Sequence, residues 1–299
     1  MQVPAQVEYE KATSVQHALA LLARYGPEAK ILAGGHSLIP MMKLRLAQPE
    51  ILIDINGLTE LGYISRSGDV LRIGTLTRHA QLLESGLAGE YFTIMHDAER
   101  VIADPIVRNW GTVGGSLCQA DPSEDLSAAF AAMKGTMVIQ GPNGSREVSA
   151  RDFHTGPYET VVGPSEMLTE IRLPIRSGHL RGGSGYLKVA RRVGDWPVGA
   201  AGAAVWLANA SGGRQRIADT GIGLTAVGAR HFVAAEAEDF LRGRPADEEN
   251  LAKAGEIAAQ HCNPVTDQRG PADYKRHLVK ELTTRVLRIA VSRARGAAS

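Results

Sequence analysis

Two Gly-Gly segments, 80 residues apart, restrict this chain more than any other feature of its sequence. Gly34 and Gly35 follow a short apolar run and precede a helix start, and Gly114 and Gly115 lie in a similar stretch. Without β-carbons, consecutive backbone amides can face a ligand unobstructed, which suits an anion such as a pyrophosphate. A tight turn at positive φ is the simpler explanation of either pair alone. Two such segments, each with adjacent hydroxyl side chains, favour a dinucleotide.

Residues 1–60 predict a small parallel α/β layer, because short apolar runs alternate with helical periodicity. Ser14 is expected to cap a helix whose apolar residues recur at i, i+3, i+4 and i+7, and Gly26 to end it. A second short helix is expected from Leu38, followed by a compact buried strand at 51–55.

Residues 60–175 predict a mixed unit. Strands are expected at 137–139 and 167–173, a glycine-rich loop at 111–116, and an acidic helix start at 121–126. The Gly/Ser-rich residues 177–185 are the predicted domain boundary and linker.

The last third of the chain predicts a separate α+β unit. Antiparallel strands are expected at 200–207 and 222–227 around a Gly-Gly turn at 212–213. A long helix is expected from Ala272. Its predicted apolar stripe is Tyr274, Leu278, Leu282, Val286 and Ile289.

Composition excludes several classes of function. With 33 Lys and Arg against 32 Asp and Glu, the chain lacks the basic excess that nucleic acid or an anionic membrane surface demands. Its two cysteines are too few for a disulfide framework, a four-cysteine zinc site or an iron–sulfur cluster, and favour a reducing cytoplasm. No secretory signal and no run of roughly 20 apolar residues is found. P-loop, zincin and Rossmann motifs are also missing.

Five segments resemble, in order, the FAD-binding subunit of molybdenum hydroxylases, of the carbon monoxide dehydrogenase medium-subunit type. Xanthine dehydrogenase carries a related domain. The segments are AGGHSLIPMMKLR (33–45), ILIDI (51–55), IGTLTRHAQL (73–82), NWGTVGGSLCQADPSEDLSAAF (109–130) and YLKVARRVGDWPV (186–198). The resemblance covers nearly the whole chain.

The resemblance implies an α+β chain with a vanillyl-alcohol-oxidase (PCMH)-type FAD-binding fold. Two α/β subdomains, about 1–58 and 59–176, would form a domain 1–176 that holds noncovalent FAD, followed by a C-terminal α+β domain at 177–299. The implied cofactor contacts are Leu32, Ala33, Gly34, Gly35, His36, Ser37, Leu38, Ile102, Thr112, Val113, Gly114, Gly115, Ser116, Asp125, Leu168 and Lys188. No catalytic residue and no metal ligand is implied.

Several of these residues have an alternative explanation. Asp125 suits the first turn of a helix through the helix dipole, and Lys188 suits a solvated strand face. His36 could suggest a covalent flavin, although the family binds FAD noncovalently. Cys118 is expected to be a packed small hydrophobe rather than a redox thiol. Asp195-Trp196 could border the isoalloxazine, lie at a subunit interface, or simply pack.

The implied function is electron transfer. Electrons from a molybdopterin centre would pass through two [2Fe–2S] clusters to FAD and then to an external acceptor. Molybdopterin and the clusters would lie in partner subunits, a large and a small one, in a dimer of heterotrimers located in the cytoplasm or against the inner membrane face. CO, aldehydes, purines and N-heterocycles stay open as substrates, and NAD, a quinone or oxygen as acceptor.

Two other functions stay open beside this one. A free-standing flavoenzyme resembling the enolpyruvyl-glucosamine reductases would share the glycine-rich FAD segments. A scaffold or nucleotide sensor that has lost its flavin would have no activity of its own.

Overall fold

The computed structural model describes residues 3–176, 180–209 and 215–296. Its N-terminal unit contains β1 (Glu8–Lys11), α1 (Val15–Tyr25), β2 (Ala29–Leu32), α2 (Leu38–Lys43) and β3 (Ile51–Asp54). Strand β3 lies in the centre of the sheet and pairs in parallel with β1 on one side and β2 on the other. The predicted parallel α/β layer is therefore confirmed.

The ends of α1 form as the sequence predicts. The Ser14 hydroxyl oxygen accepts a hydrogen bond from the amide of His17 at 3.0 Å, and Gly26 ends the helix at φ +62°. The helix buries Ala18 and Leu22 in the same core as Ile53 of β3. Because the strands are parallel, the segments that leave β2 and β3 emerge at one edge of the sheet, where ligands bind in open α/β sheets.

The second unit is built on a five-stranded antiparallel sheet with the order β4-β5-β10-β6-β7. The strands predicted at 137–139 and 167–173 are confirmed as β6 and β10. The elements are β4 (Ile64–Ser67), β5 (Val70–Gly74), α3 (His79–Glu84), α4 (Gly86–Tyr91), α5 (Thr93–Glu99), α6 (Pro105–Trp110), α7 (Val113–Gln119), α8 (Asp125–Ala132), β6 (Thr136–Gly141), β7 (Gly144–Ser149), β8 (His154–Gly156), β9 (Glu159–Thr160) and β10 (Met167–Pro174).

The third unit is a three-stranded antiparallel sheet, order β11-β12-β13, with three helices. Its elements are β11 (Arg181–Ala190), β12 (Pro197–Asn209), β13 (Gln215–Thr225), α9 (Ala235–Leu241), α10 (Glu248–His261) and α11 (Ala272–Ala294). The predicted antiparallel strands and long helix are confirmed, and the turn at 212–213 lies outside the described residues. Tyr274 is 44% exposed, so it does not belong to the buried stripe of α11, which instead continues to Ala290 and Ala294.

The prediction of a linker at 177–185 was wrong for residues 181–185, which begin β11; residues 177–179 lie outside the described residues. The glycines there serve close packing rather than flexibility. A β-carbon on Gly183 would clash with the carbonyl oxygen of Ala290 and lie 3.0 Å from the Cα atom of Ala294. Glycine therefore lets β11 lie directly against α11.

Helix α8 joins the second and third units. All eight of its residues are buried. Gly221 and Gly223 of β13 lie so close to it that β-carbons there would clash with the carbonyl oxygens of Ala132 and Ala128. One hydrophobic core contains both α8 and residues of β11 and β12 such as Tyr186 and Ala204. This packing brings β11 beside the N-terminus of α8.

Candidate functional site

A cavity of about 560 Å³ lies between the three units. Its volume is within the range of roughly 300–1,000 Å³ that small-molecule and cofactor sites occupy. All of the residues implied by the resemblance line it except Val113, which is fully buried in the core of the second unit. The lining residues among them are Leu32, Ala33, Gly34, Gly35, His36, Ser37, Leu38, Ile102, Thr112, Gly114, Gly115, Ser116, Asp125, Leu168 and Lys188. Tertiary structure thus brings the two glycine segments to one cavity.

The turn at 34–37 is a backbone cradle. Gly35 has φ +75°, and no hydrogen-bond acceptor among the described residues is recorded for the amides of residues 34–37. The His36 ring turns back and places its Nδ1 atom 2.9 Å from the carbonyl oxygen of Gly34. Free amides in a cavity wall suit an anionic group, because they can donate to its oxygens without giving up a hydrogen bond within the protein.

The cradle is held by two residues that the sequence did not single out, Asn56 and Arg78. Asn56 Nδ2 donates to the carbonyl oxygen of Ala33 at 2.6 Å. The Arg78 guanidinium donates to Asn56 Oδ1 at 2.9 Å and to the carbonyl oxygen of Trp110. Burial lowers the pKa of Arg78. The sequence signals were that Asn56 follows the buried strand at 51–55 and that Arg78 lies in the segment 73–82 that resembles the family.

The prediction that residues 112–116 form a second backbone cradle like that at 34–37 was wrong. Thr112 caps helix α7, which begins at Val113. The amides of Val113 and Gly114 donate to the carbonyl oxygens of Thr77 and Thr75, both at 2.9 Å, and those of Gly115 and Ser116 donate to Thr112. These donors are already engaged.

Close packing explains the second glycine pair. A β-carbon on Gly114 would lie 2.5 Å from Cβ of Thr75, and one on Gly115 would lie 2.6 Å from Oγ1 of Thr112. Neither residue has positive φ. The segment therefore contributes a smooth wall and the side-chain hydroxyls of Thr112 and Ser116 rather than amides.

Asp125 and Lys188 form a buried ion pair in the cavity wall. Lys188 Nζ lies 2.8 Å from Asp125 Oδ2 and also donates to the carbonyl oxygen of Val101 at 3.1 Å, and Tyr186 donates its hydroxyl to Asp125 Oδ1 at 2.7 Å. Each charged side chain is 4% exposed, which excludes the solvated face for Lys188. Burial raises the pKa of Asp125, and the charge of Lys188 opposes that rise.

Glu124, just before Asp125, is the cap of α8 that the sequence missed. Its carboxylate accepts hydrogen bonds from the amides of Leu126 and Ser127, at 2.7 and 2.6 Å, and from the Ser127 hydroxyl. It lines the cavity and is 4% exposed. Burial raises its pKa to about 7, although these hydrogen bonds favour the ionised form.

A second set of hydrogen-bonded polar groups joins the predicted contact Ser116 to His79 and Glu99, which the sequence did not single out. His79 Nδ1 lies 3.0 Å from both carboxylate oxygens of Glu99, and His79 Nε2 lies 3.0 Å from Oγ of Ser116. Burial lowers the pKa of His79, but the charge and hydrogen bond of Glu99 outweigh it and raise the pKa above the ordinary value. Burial raises the pKa of Glu99, against the effect of His79.

The cavity as a whole fits FAD. The free amides at 34–37 suit its pyrophosphate, and the apolar residues Ile102 and Leu168 suit a flat aromatic ring. Thr75, another lining residue, keeps its Oγ1 atom buried without a hydrogen-bond partner among the described residues. Asp195 and Trp196 also line the cavity.

Comparison with known proteins decides the family. Residues 5–176 match the model of the FAD binding domain in molybdopterin dehydrogenase. The chain belongs to this family. Residues 184–290 match the C-terminal domain of the CO dehydrogenase flavoprotein. The α+β fold is thus that of an FAD-binding domain followed by this C-terminal domain, the cofactor is FAD, and the chain is an oxidoreductase flavoprotein subunit.

Relatives of this FAD-binding subunit match along nearly their whole length. The carbon monoxide dehydrogenase medium chain of Hydrogenophaga pseudoflava is 38% identical, with 97% of this chain and 99% of the relative covered. The glyceraldehyde dehydrogenase medium chain of Sulfolobus acidocaldarius is 34% identical, with 95% and 98% covered. A solved carbon monoxide dehydrogenase from H. pseudoflava, lacking the Mo-pyranopterin moiety, superposes with a TM-score of 0.91 at 39% identity, covering 97% of this chain and 99% of that one. These relatives are medium chains of multi-subunit enzymes.

Within the described residues, no helix has the length and apolar character needed to span a bilayer.

Proposed function

We propose that this chain is the electron-transfer subunit of a molybdenum hydroxylase. It takes electrons from [2Fe–2S] clusters in a partner subunit and passes them to an external small-molecule acceptor. The observation that carries the proposal is the cavity itself, in which the free amides at 34–37 face the buried polar chains of the second unit. The two cysteines of the chain are too few to ligate a cluster, so the clusters in this route lie in another chain.

The fifteen lining residues predicted from the sequence are the proposed FAD contacts. The amides at 34–37 bind the pyrophosphate, and the wall around Ile102 and Leu168 excludes water from the ring. When bound, FAD supplies the redox chemistry, accepting and releasing electrons. The residues of this chain hold it, orient it and set the charge around it. We propose that the binding is noncovalent, with His36 Nδ1 held 2.9 Å from the Gly34 carbonyl oxygen.

The partners proposed are a small subunit with two [2Fe–2S] clusters and a large molybdopterin subunit, in a dimer of heterotrimers. Substrate choice belongs to the large subunit, since relatives with this same chain type are named for carbon monoxide and for glyceraldehyde. We also propose a domain boundary at 176/177, which the two family matches, ending at 176 and starting at 184, support.

Reduction kinetics test this function. The chain is purified alone and with the two partner subunits, and flavin absorbance is followed after adding NADPH or the substrate of the complex. We expect acid to release intact FAD, and rapid bleaching of the flavin only when both partners and substrate are present. Fast reduction of the isolated chain by NADPH would instead identify a free-standing reductase. A chain that binds no flavin would overturn both functions.

A further inference from the structure

Beside the proposed FAD contacts lies the chain of three polar side chains from separate elements: Glu99 at the end of α5, His79 at the start of α3 and Ser116 in α7. Glu99 is fully buried and His79 is 2% exposed. Ser116 lines the cavity. These three hydrogen-bonded side chains therefore lead from the interior of the second unit to the cavity surface.

Which of Glu99, His79 and Ser116 donates and which accepts each hydrogen bond depends on a single proton. When the Glu99–His79 pair is deprotonated, Nδ1–H donates to Glu99 and Nε2 must accept from the Ser116 hydroxyl, whose oxygen then presents only lone pairs to the cavity. When the pair holds a proton, Nε2–H donates to Ser116. This is true whether the proton lies on the imidazole or on the carboxyl group of Glu99. The Ser116 O–H is then free to point at a ligand.

We propose that Glu99 and His79 hold a proton that makes the Ser116 hydroxyl a hydrogen-bond donor toward an acceptor oxygen of FAD. Ser116 is the residue that touches the cofactor, and His79 and Glu99 are positioning residues that act through it. This inference rests on the proposed FAD-carrying function. The burial of Glu99 and His79 supports this inference. Burying charged side chains costs desolvation free energy, and a role toward a ligand accounts for keeping them in the core.

Other charged groups face His79 from the elements packed around it. They are Glu99 of α5, Glu124 and Asp125 at the start of α8, and, acting on Glu99, Arg108 of α6. Asp125 is paired with Lys188. The acidic groups favour the protonated imidazole and keep its pKa above 6.5. Ser116 is therefore in its donor state below that pKa and loses it as the pH rises through it.

The test is the affinity of the apoprotein for FAD as a function of pH, measured by quenching of flavin fluorescence. We expect the Kd of the wild-type chain to rise by roughly 10-fold or more as the pair loses its proton, the worth of a hydrogen bond to a charged group. Ser116→Ala should weaken binding at low pH by a similar factor and flatten the profile. His79→Gln should also flatten it, since a glutamine holds no titrating proton.

Glu99→Gln gives the result that a merely structural role would not produce. Removing the carboxylate lowers the pKa of His79, so the transition should move to lower pH by about one unit or more. Glu124→Gln tests the nearby carboxyl group of Glu124 and should keep a transition, as should the control His277→Gln, which changes an exposed residue of α11 outside the cavity.

Long-range ¹⁵N–¹H NMR of the His79 ring in the apoprotein provides a second readout that does not depend on binding. It should report Nε2 protonated below the transition and deprotonated above it. A transition that survives Ser116→Ala, or that Glu99→Gln does not move, would overturn the inference. A wild-type chain whose FAD affinity is independent of pH would do the same and leave the proposed function intact. If it bound no FAD at any pH, the function itself would fail.

Discussion

Gly34 packs directly against Trp110, and this contact joins the two segments that form the cavity. A β-carbon on Gly34 would clash with the carbonyl oxygen of Trp110 and lie 2.8 Å from the Cα atom of Gly111. The same carbonyl accepts a hydrogen bond from Arg78, which also holds Asn56. The cradle at 34–37 is therefore positioned by the end of α6 as well as by its own strand.

Gly34→Ala should damage this junction. The added methyl group has no room against a backbone carbonyl, so the cradle must move away from α6, at a cost of about 1–3 kcal/mol in unfolding free energy. We expect FAD affinity to fall by at least about 10-fold, measured by fluorescence titration. Gly89→Ala is the matched control, because no atom lies within 4 Å of its β-carbon position in α4. It should bind FAD normally and gain up to about 1 kcal/mol. Equal behaviour of the two variants would contradict the packing argument.

Lys188→Met should leave Asp125 buried without its cation. Removing one partner of a buried ion pair typically costs about 3–5 kcal/mol, and urea unfolding of the apoprotein measures the loss. The double variant Asp125→Asn/Lys188→Met removes both charges and should recover much of it. If the double variant lost as much stability as the sum of the two single changes, the pair would not be coupled in this way.

Glu124 should make stability fall with rising pH. Its pKa is about 7 in the folded chain against an ordinary 4.5, so between these values the folded chain keeps a proton that the unfolded chain releases. The unfolding free energy should therefore decline from pH 4.5 to 7 by about 3 kcal/mol from this group and then level off.

Urea unfolding of apoprotein at pH 5, 6, 7 and 8 checks the role of Glu124. Glu124→Gln should lack this decline, whereas Glu90→Gln, at an exposed position of α4, should keep the wild-type profile. The variant should also lose about 1 kcal/mol at pH 5, where the weakened cap of α8 is the remaining effect. A Glu124→Gln profile that followed the wild type would exclude Glu124 as the source.

Cys118 should report occupancy of the cavity. Cys118 is exposed in the cavity lining, so the expectation that it packs as a small hydrophobe was wrong. The surrounding cavity wall desolvates its thiol and raises the pKa to about 12, so thiolate chemistry is slow. We expect a maleimide to label Cys118 slowly in the apoprotein and much more slowly once FAD is bound, as followed by mass spectrometry. Cys262 is 5% exposed and serves as the internal control, unlabelled in both states. Equal labelling of Cys118 with and without FAD would place the cofactor elsewhere.

Local sequence patterns determined where several elements of this protein begin and end and how one turn in the cavity wall is built. The cap at Ser14 and the stop at Gly26 depend on neighbours within one turn, and the free-amide turn at Gly34 and Gly35 depends on the absence of two β-carbons. Those features, together with the resemblance, were enough to predict the parallel layer, the FAD family and fifteen of the residues that line the cavity. They were also enough to suggest that electrons come from another chain.

Only the tertiary structure decided the chemistry of the cavity wall. The amides of residues 113–116 look like those at 34–37 in sequence, but Thr75 and Thr77, more than 30 residues away, supply acceptors for two of them. Asp125 meets Lys188 from 63 residues away, because β11 packs beside α8. Hydrogen-bond partners and burial set the charge of such groups, and both depend on segments that meet only in the folded chain.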